Sequence, residues 1–252
     1  MKTDRMDVIV LTKNSERLLE RCFDSIFENV PVNRLIVVDG YSTDSTGDIV
    51  QKYREKYGNV VMLRDGGTRG SARLRGIREV ETDWFLFVDS DVILCDGWCE
   101  KARKYIENDV GGVWGTEVWA GIRRPEVLKL FLMVTRRIFE LRGGTHDLLV
   151  RSEVVKDIDI PSDLHVFEDA HIKEWITRKG YRVVPTYVPF CLHHRPETVW
   201  TAKGSRDLIV EALRHGSFRK MPRYFFAYSF YAFYVAYRIF TERMKHQTAG
   251  AP

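Results

Sequence analysis

Short apolar runs alternate along the first half of the chain with longer segments in which apolar residues recur at helical spacing. Residues 7–12 (DVIVLT) predict a buried strand. Residues 15–28 predict a helix with Leu18, Leu19, Cys22, Ile26 and Phe27 on its apolar side. The pattern repeats as strand 34–38, helix 45–57, strand 60–63, helix 70–80 and strand 84–88, with Ser and Thr near residue 45 available as amide caps. This alternation predicts an α/β fold on a mostly parallel sheet. Ligands in such sheets gather beyond the carboxyl ends of the strands, where Thr12, Asp39, Asp65 and Asp89 fall.

After Asp91 the pattern is less regular. Helix 97–108 and strand 111–118 are followed by an apolar helix over 125–142, ended by Gly143-Gly144. A short strand at 146–151, a helix at 169–179 closed by Gly180, and a strand at 181–184 come next. Helices over about 197–215 and 222–243 finish the chain.

A chain of 252 residues with 44% hydrophobic content can bury one substantial core or two modest ones. The net charge of +4 is spread through the helices, which suits phosphates or an anionic lipid surface and does not favour nucleic acid. Cys22, Cys95, Cys99 and Cys191 lack CxxC spacing and read as buried free thiols of a reducing compartment. The amino-terminal residues do not read as a signal peptide, and no run reaches the roughly 20 apolar residues of a membrane span.

Asp89-Ser90-Asp91 follows the apolar run Trp84 to Val88, so a rigid strand delivers both carboxylates to its mouth. Hard oxygen ligands so placed suit Mg²⁺ or Mn²⁺ shared with a diphosphate, the competing reading being a plain Asp-Ser-Asp turn. Residues 65–76 combine a glycine-rich loop with Arg69, Arg73 and Arg75, of which Arg69 and Arg73, four apart, could approach one phosphate. Neither GxxxxGK nor GxGxxG occupies the required place, which argues against an ATPase or a dinucleotide oxidoreductase. Glu168 and Asp169 open a helix and are either first-turn charges or carboxylates of a site. His193-His194-Arg195 follow a strand and offer a metal-ligating imidazole, with the two histidines unranked, and a phosphate-binding guanidinium. His146 and Asp147 are candidates to line an acceptor cleft.

In order along the chain, residues 11–16 (LTKNSE), 37–46 (VVDGYSTDST), 70–77 (GSARLRGI), 87–91 (FVDSD) and 167–169 (FED) resemble the motifs of family 2 glycosyltransferases with the GT-A fold, polyprenol- and dolichol-linked sugar transferases included. The resemblance spans about 7–195 and implies inverting, metal-dependent transfer of a sugar from a UDP- or GDP-linked donor. It implies that Asp39 contacts the base, Glu16 lies near the ribose, Asp91 is the principal ligand of Mn²⁺ or Mg²⁺ with Asp89 assisting, and Asp169 is the base. Thr12, Asp65, Arg69, Arg73, Ser90 and Arg195 join the donor side, and Glu168 joins His146 and Asp147 on the acceptor side. Ser15 and Leu74 depart from the commoner acidic residue and Asn of the family. A nucleotidylyltransferase and a non-catalytic glycan- or lipid-binding protein are the competing functions.

The expected organisation is a catalytic domain over 1–196, with a nucleotide half to about 118 and an acceptor half from 119, a helical extension over 197–243, and a tail. From Tyr224 to Tyr237 runs a stretch of 14 residues without formal charge, flanked by Arg219, Lys220 and Arg223 before it and Arg238, Arg243 and Lys245 after it. An interfacial helix of this kind would hold the protein on the cytoplasmic membrane face beside a lipid-linked or polyprenyl-phosphate acceptor. The alternative is packing of the apolar helices on the catalytic lobe or across a homodimer.

Overall fold

The computed structural model describes residues 5–120, 144–194, 207, 210–211 and 213–215. The expected helices over 125–142 and 222–243, the aromatic run and Arg195 lie outside the described residues, and helix 197–215 is described only at six positions, all helical.

The elements run β1 (Met6–Thr12), α1 (Glu16–Asn29), β2 (Val32–Asp39), α2 (Thr46–Tyr57), β3 (Val60–Arg64), α3 (Arg69–Arg78), β4 (Trp84–Asp89) and β5 (Val92–Leu94). They continue with α4 (Trp98–Arg103), β6 (Val110–Trp119), β7 (Asp147–Arg151), α5 (Ser152–Val155), α6 (Glu168–Arg178) and β8 (Arg182–His193). One eight-stranded sheet orders them β3-β2-β1-β4-β7-β6-β8-β5. The first four strands in that order are parallel, as is β6 with β8, whereas β7 and β5 pair antiparallel with their neighbours. The sheet is therefore more mixed than the alternation of elements predicts. β7 inserts between β4 and β6 and reverses the strand direction.

Val8, Ile9 and Val10 are fully buried because helices cover both faces of β1. On one face Leu19, Cys22, Phe23 and Ile26 of α1 pack with Val8, Val10 and Val37. Phe23 is thus part of the buried stripe, while Phe27 sits at its edge and stacks on Tyr57 with centroids 3.7 Å apart. On the other face Ile9, Ile36, Phe85 and Phe87 meet Ala72 and Ile77 of α3 and Ile172 and Ile176 of α6. α3 lies so close to the sheet that a Cβ at Gly76 would come within 2.7 Å of Ile9 Cγ2.

β8 extends to His193, well past the expected 181–184, because Pro185 and Pro189 sit at an irregularity where the β6 register jumps between Trp114 and Thr116. The Thr116 hydroxyl donates to the Thr186 carbonyl at 2.7 Å and the Thr186 hydroxyl to the Trp114 carbonyl at 3.0 Å, replacing the lost ladder bonds. Gly115 falls in this break, where a Cβ would overlap Asp147 Oδ2. Gly115→Ala is expected to destabilise the fold by about 1–3 kcal/mol. An unchanged urea midpoint would show that the strand break relaxes freely.

Candidate active site

The loops after β1, β2, β3 and β4 converge at the carboxyl ends of the parallel strands. Asp39, fully buried at the end of β2, receives the Thr12 hydroxyl at 2.9 Å and the Ser42 hydroxyl at 2.5 Å on Oδ1. Its Oδ2 receives the Ser42 amide at 2.9 Å and Arg64 Nη1 at 2.6 Å. Burial alone would raise the Asp39 pKa, but the hydrogen bonds from Ser42 and Thr12 and the charge of Arg64 bring it below the ordinary carboxylate range. Four hydrogen-bond donors thus hold Asp39 ionised at the carboxyl end of β2.

The helix starts around Asp39 cap one another across the loops. Asp44 accepts the amides of Thr46 at 3.0 Å and Glu16 at 3.2 Å, and Glu16 returns the contact by accepting the Ser45 amide at 3.0 Å. Ser45 makes no side-chain cap, and the Thr46 hydroxyl serves α1, accepting the Ser15 amide at 2.8 Å. The Ser15 and Ser90 hydroxyls meet at 3.0 Å, which ties the first loop to the Asp-Ser-Asp turn. Asn14 (φ 50°) and Tyr41 (φ 59°) both take left-handed backbone conformations in these loops.

Asp65 is turned toward its own loop, accepting the Gly67 amide at 2.8 Å and the Ser71 hydroxyl on both oxygens. Arg69 is exposed, but Arg73 is buried against the Phe87 ring and donates to Asp89 Oδ1 at 2.7 Å. The two arginines therefore do not form the phosphate clamp that their spacing suggests. A helix that packs closely on β1 turns position 73 inward, and Arg73 holds Asp89 in place.

Asp89, Asp91 and His193 each present a ligand atom within 4.8 Å of the others. His193 Nε2 lies 3.0 Å from Asp91 Oδ1, and His193 Nδ1 lies 2.9 Å from Glu117 Oε1. Antiparallel pairing of β5 with β8 places Val92 opposite His193, which brings that ring to the turn. His194 faces the other way, its Nε2 buried without a hydrogen-bond partner, and burial followed by the charges of Arg21 and Arg17 lowers its pKa. Of the two histidines, His193 is the one at the acidic centre. Burial would raise the Asp89 pKa, yet Arg73 and His193 bring it down to about 2.

This donor set fits a divalent cation. Two ligands at neighbouring positions of an octahedral ion with bonds of about 2.1 Å lie about 3 Å apart, which matches the Asp91 to His193 spacing. Two carboxylates with one imidazole suit Mn²⁺ or Mg²⁺. Glu117 is the carboxylate that would orient the imidazole from behind. Its sequence signal was a lone acidic residue within the apolar strand 110–119.

With only protein partners, His193 is a cation. Burial would lower its pKa, but the bonds to Asp91 and Glu117 outweigh burial and push it up to about 10. A folded pKa above the ordinary 6.5 contributes stability that is complete below pH 6.5 and lost as pH rises through about 10. In chelator-treated protein, wild type should lose stability over that window relative to His193→Gln. Parallel urea midpoints from pH 6 to 10 would contradict the pairing.

The acceptor-side residues divide. Asp147 is sealed in the interior, where Oδ2 accepts the Trp98 indole at 3.0 Å, so it cannot line an acceptor cleft. As the first residue of β7 it faces α4, a direction that only the strand's insertion into the sheet sets. His146 is also buried, with Nδ1 2.6 Å from Asp147 Oδ1, within ion-pair range but without hydrogen-bond alignment. It belongs to the packing behind Glu117. Glu168 and Asp169 open α6, and Asp169 Oδ1 accepts the Ala170 amide at 2.6 Å. Glu168 is buried, and Asp169 keeps 9% of its surface exposed.

Comparison with known proteins agrees with this layout. Residues 7–142, more than half of the 252, match the model of glycosyl transferase family 2. A poly(ribitol-phosphate) beta-glucosyltransferase of Bacillus spizizenii is 36% identical over 93 residues, covering 34% of this chain and 15% of that protein. A poly(ribitol-phosphate) beta-N-acetylglucosaminyltransferase of Staphylococcus aureus is 30% identical over 192 residues, covering 70% of this chain and 32% of that protein. The chain spans a third or less of the length of these relatives. A mannosyltransferase from Pyrobaculum calidifontis, solved in complex with GDP-Man and Mn²⁺, shares the fold with a TM-score of 0.67 at 21% identity, over 85% of this chain and 66% of that one. The family match includes the strand ends that carry Asp39, Asp89 and Asp91, and the chain belongs to glycosyl transferase family 2.

Proposed function

We propose that the protein transfers the sugar of a nucleoside diphosphate-sugar to a hydroxyl of a phosphate-bearing acceptor, with inversion at the anomeric carbon. The observation that carries this reading is the cluster of Asp89, Asp91 and His193 at the mouth of the parallel strands, next to the loop held by Asp39. Asp91 and His193 would hold a divalent ion, with Asp89 beside them. Bound there, the ion offsets the charge of the leaving diphosphate.

The chain's own groups supply the rest. Thr12, Asp39, Glu16 and the turn at Ser90 bind and orient the nucleoside end of the donor. Arg73 keeps Asp89 aimed at the site, and Glu117 keeps the His193 ring in register. Asp169 accepts the proton of the acceptor hydroxyl as its oxygen forms the new bond to the anomeric carbon. The bond from that carbon to the diphosphate oxygen breaks on the opposite face, and its electron pair leaves with the nucleoside diphosphate.

The acceptor's phosphate is supported by the basic residues flanking Tyr224 to Tyr237 and by the poly(ribitol-phosphate) enzymes among the relatives. A lipid-linked glycan at a membrane surface and a polyol-phosphate polymer both carry a free hydroxyl near a phosphate. Polyprenyl phosphate would instead attack through a phosphate oxygen and leave Asp169 no hydroxyl proton to accept. Among the described residues no helix is long and apolar enough to cross a membrane; attachment by the uncharged run and its basic flanks would be interfacial. The test is a panel of UDP- and GDP-sugars with Mn²⁺ or Mg²⁺, offered a lipid-linked glycan in anionic vesicles or soluble poly(ribitol phosphate), with products identified by mass. Consumption of a nucleoside triphosphate in place of sugar transfer would favour a nucleotidylyltransferase.

A further inference from the structure

We propose that Glu211 is a positioning residue for Asp169, an inference that rests on the transfer reading above. Glu211 is buried, and its carboxylate accepts three consecutive backbone amides in the stretch that leads into α6. The His165 amide lies 3.0 Å from each oxygen, Val166 2.8 Å from Oε2 and Phe167 3.0 Å from Oε2. A buried carboxylate is costly unless its oxygens are satisfied, and a side chain that takes three adjacent amides fixes the path of the backbone that carries them. α6 begins at the next residue, so the backbone held by Glu211 is the backbone that delivers Glu168 and Asp169.

Two further contacts show that the whole loop is tied from outside. His215 lies 3.2 Å from Asp163 Oδ2, a second contact from the same carboxyl-terminal stretch. The Gly70 amide donates to the Leu164 carbonyl at 2.9 Å, joining the loop to α3, the helix whose Arg73 holds Asp89. The close approach is specific to glycine, because a Cβ at Gly70 would lie 3.0 Å from both Ile160 Cγ2 and the Leu164 carbonyl oxygen. The loop before the base is thus clamped between the helix behind the acidic centre and a residue from beyond β8. The family match ends at residue 142, so neither the base nor its anchor lies within it.

The chemistry separates the variants. Glu211→Ala removes the carboxylate that accepts the three amides. Glu211→Gln can keep an oxygen near the Oε2 position, which receives three of the four contacts, while its amide nitrogen opposes His165. A displacement of about 1 Å in a catalytic group can lower turnover about 100-fold.

The expected result for Glu211→Ala in the full chain is a roughly hundredfold fall in kcat, with KM for the nucleotide-sugar changed less than about threefold. Glu211→Gln should recover a large part of the loss. Hydrogen exchange at the amides of His165, Val166 and Phe167 should speed up in Glu211→Ala, with exchange in β1 and β4 unchanged. Unchanged exchange at those three amides would overturn the anchor itself. Faster exchange with wild-type kcat, or a loss of kcat matched by loss of nucleotide binding and of β-sheet protection, would overturn its role in positioning the base. Failure of wild type to transfer any sugar would overturn the transfer reading beneath it, and the exchange data would still report on the anchor.

Discussion

Asp169→Asn is expected to remove transfer while leaving nucleotide-sugar binding close to wild type. The exchange is nearly isosteric, so α6 should start where it does now, and the amide oxygen can still accept the Ala170 N–H that Asp169 receives at 2.6 Å. What is lost is proton affinity. An amide cannot take the acceptor's proton as the new bond forms, and a positioned base contributes about 10²–10⁴-fold to such a step. Donor binding is proposed for Thr12, Glu16, Asp39 and Ser90, at or just beyond the ends of other strands. The decisive comparison is single-turnover transfer beside nucleotide-sugar binding by calorimetry. Turnover within threefold of wild type would remove Asp169 from the mechanism, and loss of binding in step with turnover would make it a structural residue.

Asp91→Asn should show the second large effect, on a different quantity. Asp91 lies 3.0 Å from His193 Nε2, so its charge both completes the proposed ion site and holds the imidazole in place. Replacing the carboxylate with an amide removes one negative charge from a set of two carboxylates and one imidazole, while Asp89 remains engaged by Arg73. Lewis-acid support of a leaving group is worth several kcal/mol, and a loss of about 4 kcal/mol corresponds to roughly a thousandfold in rate. Turnover should fall by about that factor, and Mn²⁺ affinity, read by the paramagnetic signal of the free ion, should weaken alongside it. Full activity in chelator for wild type, or an unchanged Mn²⁺ titration for the variant, would contradict the assignment. The two variants differ in kind, since Asp169→Asn should retain Mn²⁺ binding.

Much of the amino-terminal half is legible in the chain itself. β1, β2 and β4 are built on short apolar runs because helices cover them on both sides, and such runs between polar turns mark strands. Asp39 and Asp89 were legible for the same reason, since each is the first polar residue after a buried strand. β5 carries no sequence signal because three residues show no period, and the prolines of β8 speak against a strand beyond 184 until a register break accommodates them. Spacing on a helix placed Arg69 and Arg73 on one side but could not say that α3 lies tightly on β1 and buries position 73.

The sequence by itself determined the alternation of strands and helices, the family to which the chain belongs, and the carboxylates that stand at strand ends. Those features are local, written in hydrophobic period and in residues adjacent to a strand. Only the tertiary structure decided that His193 and not His194 meets Asp91, that Glu117 stands behind it, that Asp147 lies in the interior, and that Glu211 grips the loop before Asp169. Each depends on a pairing or contact between residues far apart in the chain, where strand register and the direction of a buried side chain are set by packing that no local pattern encodes.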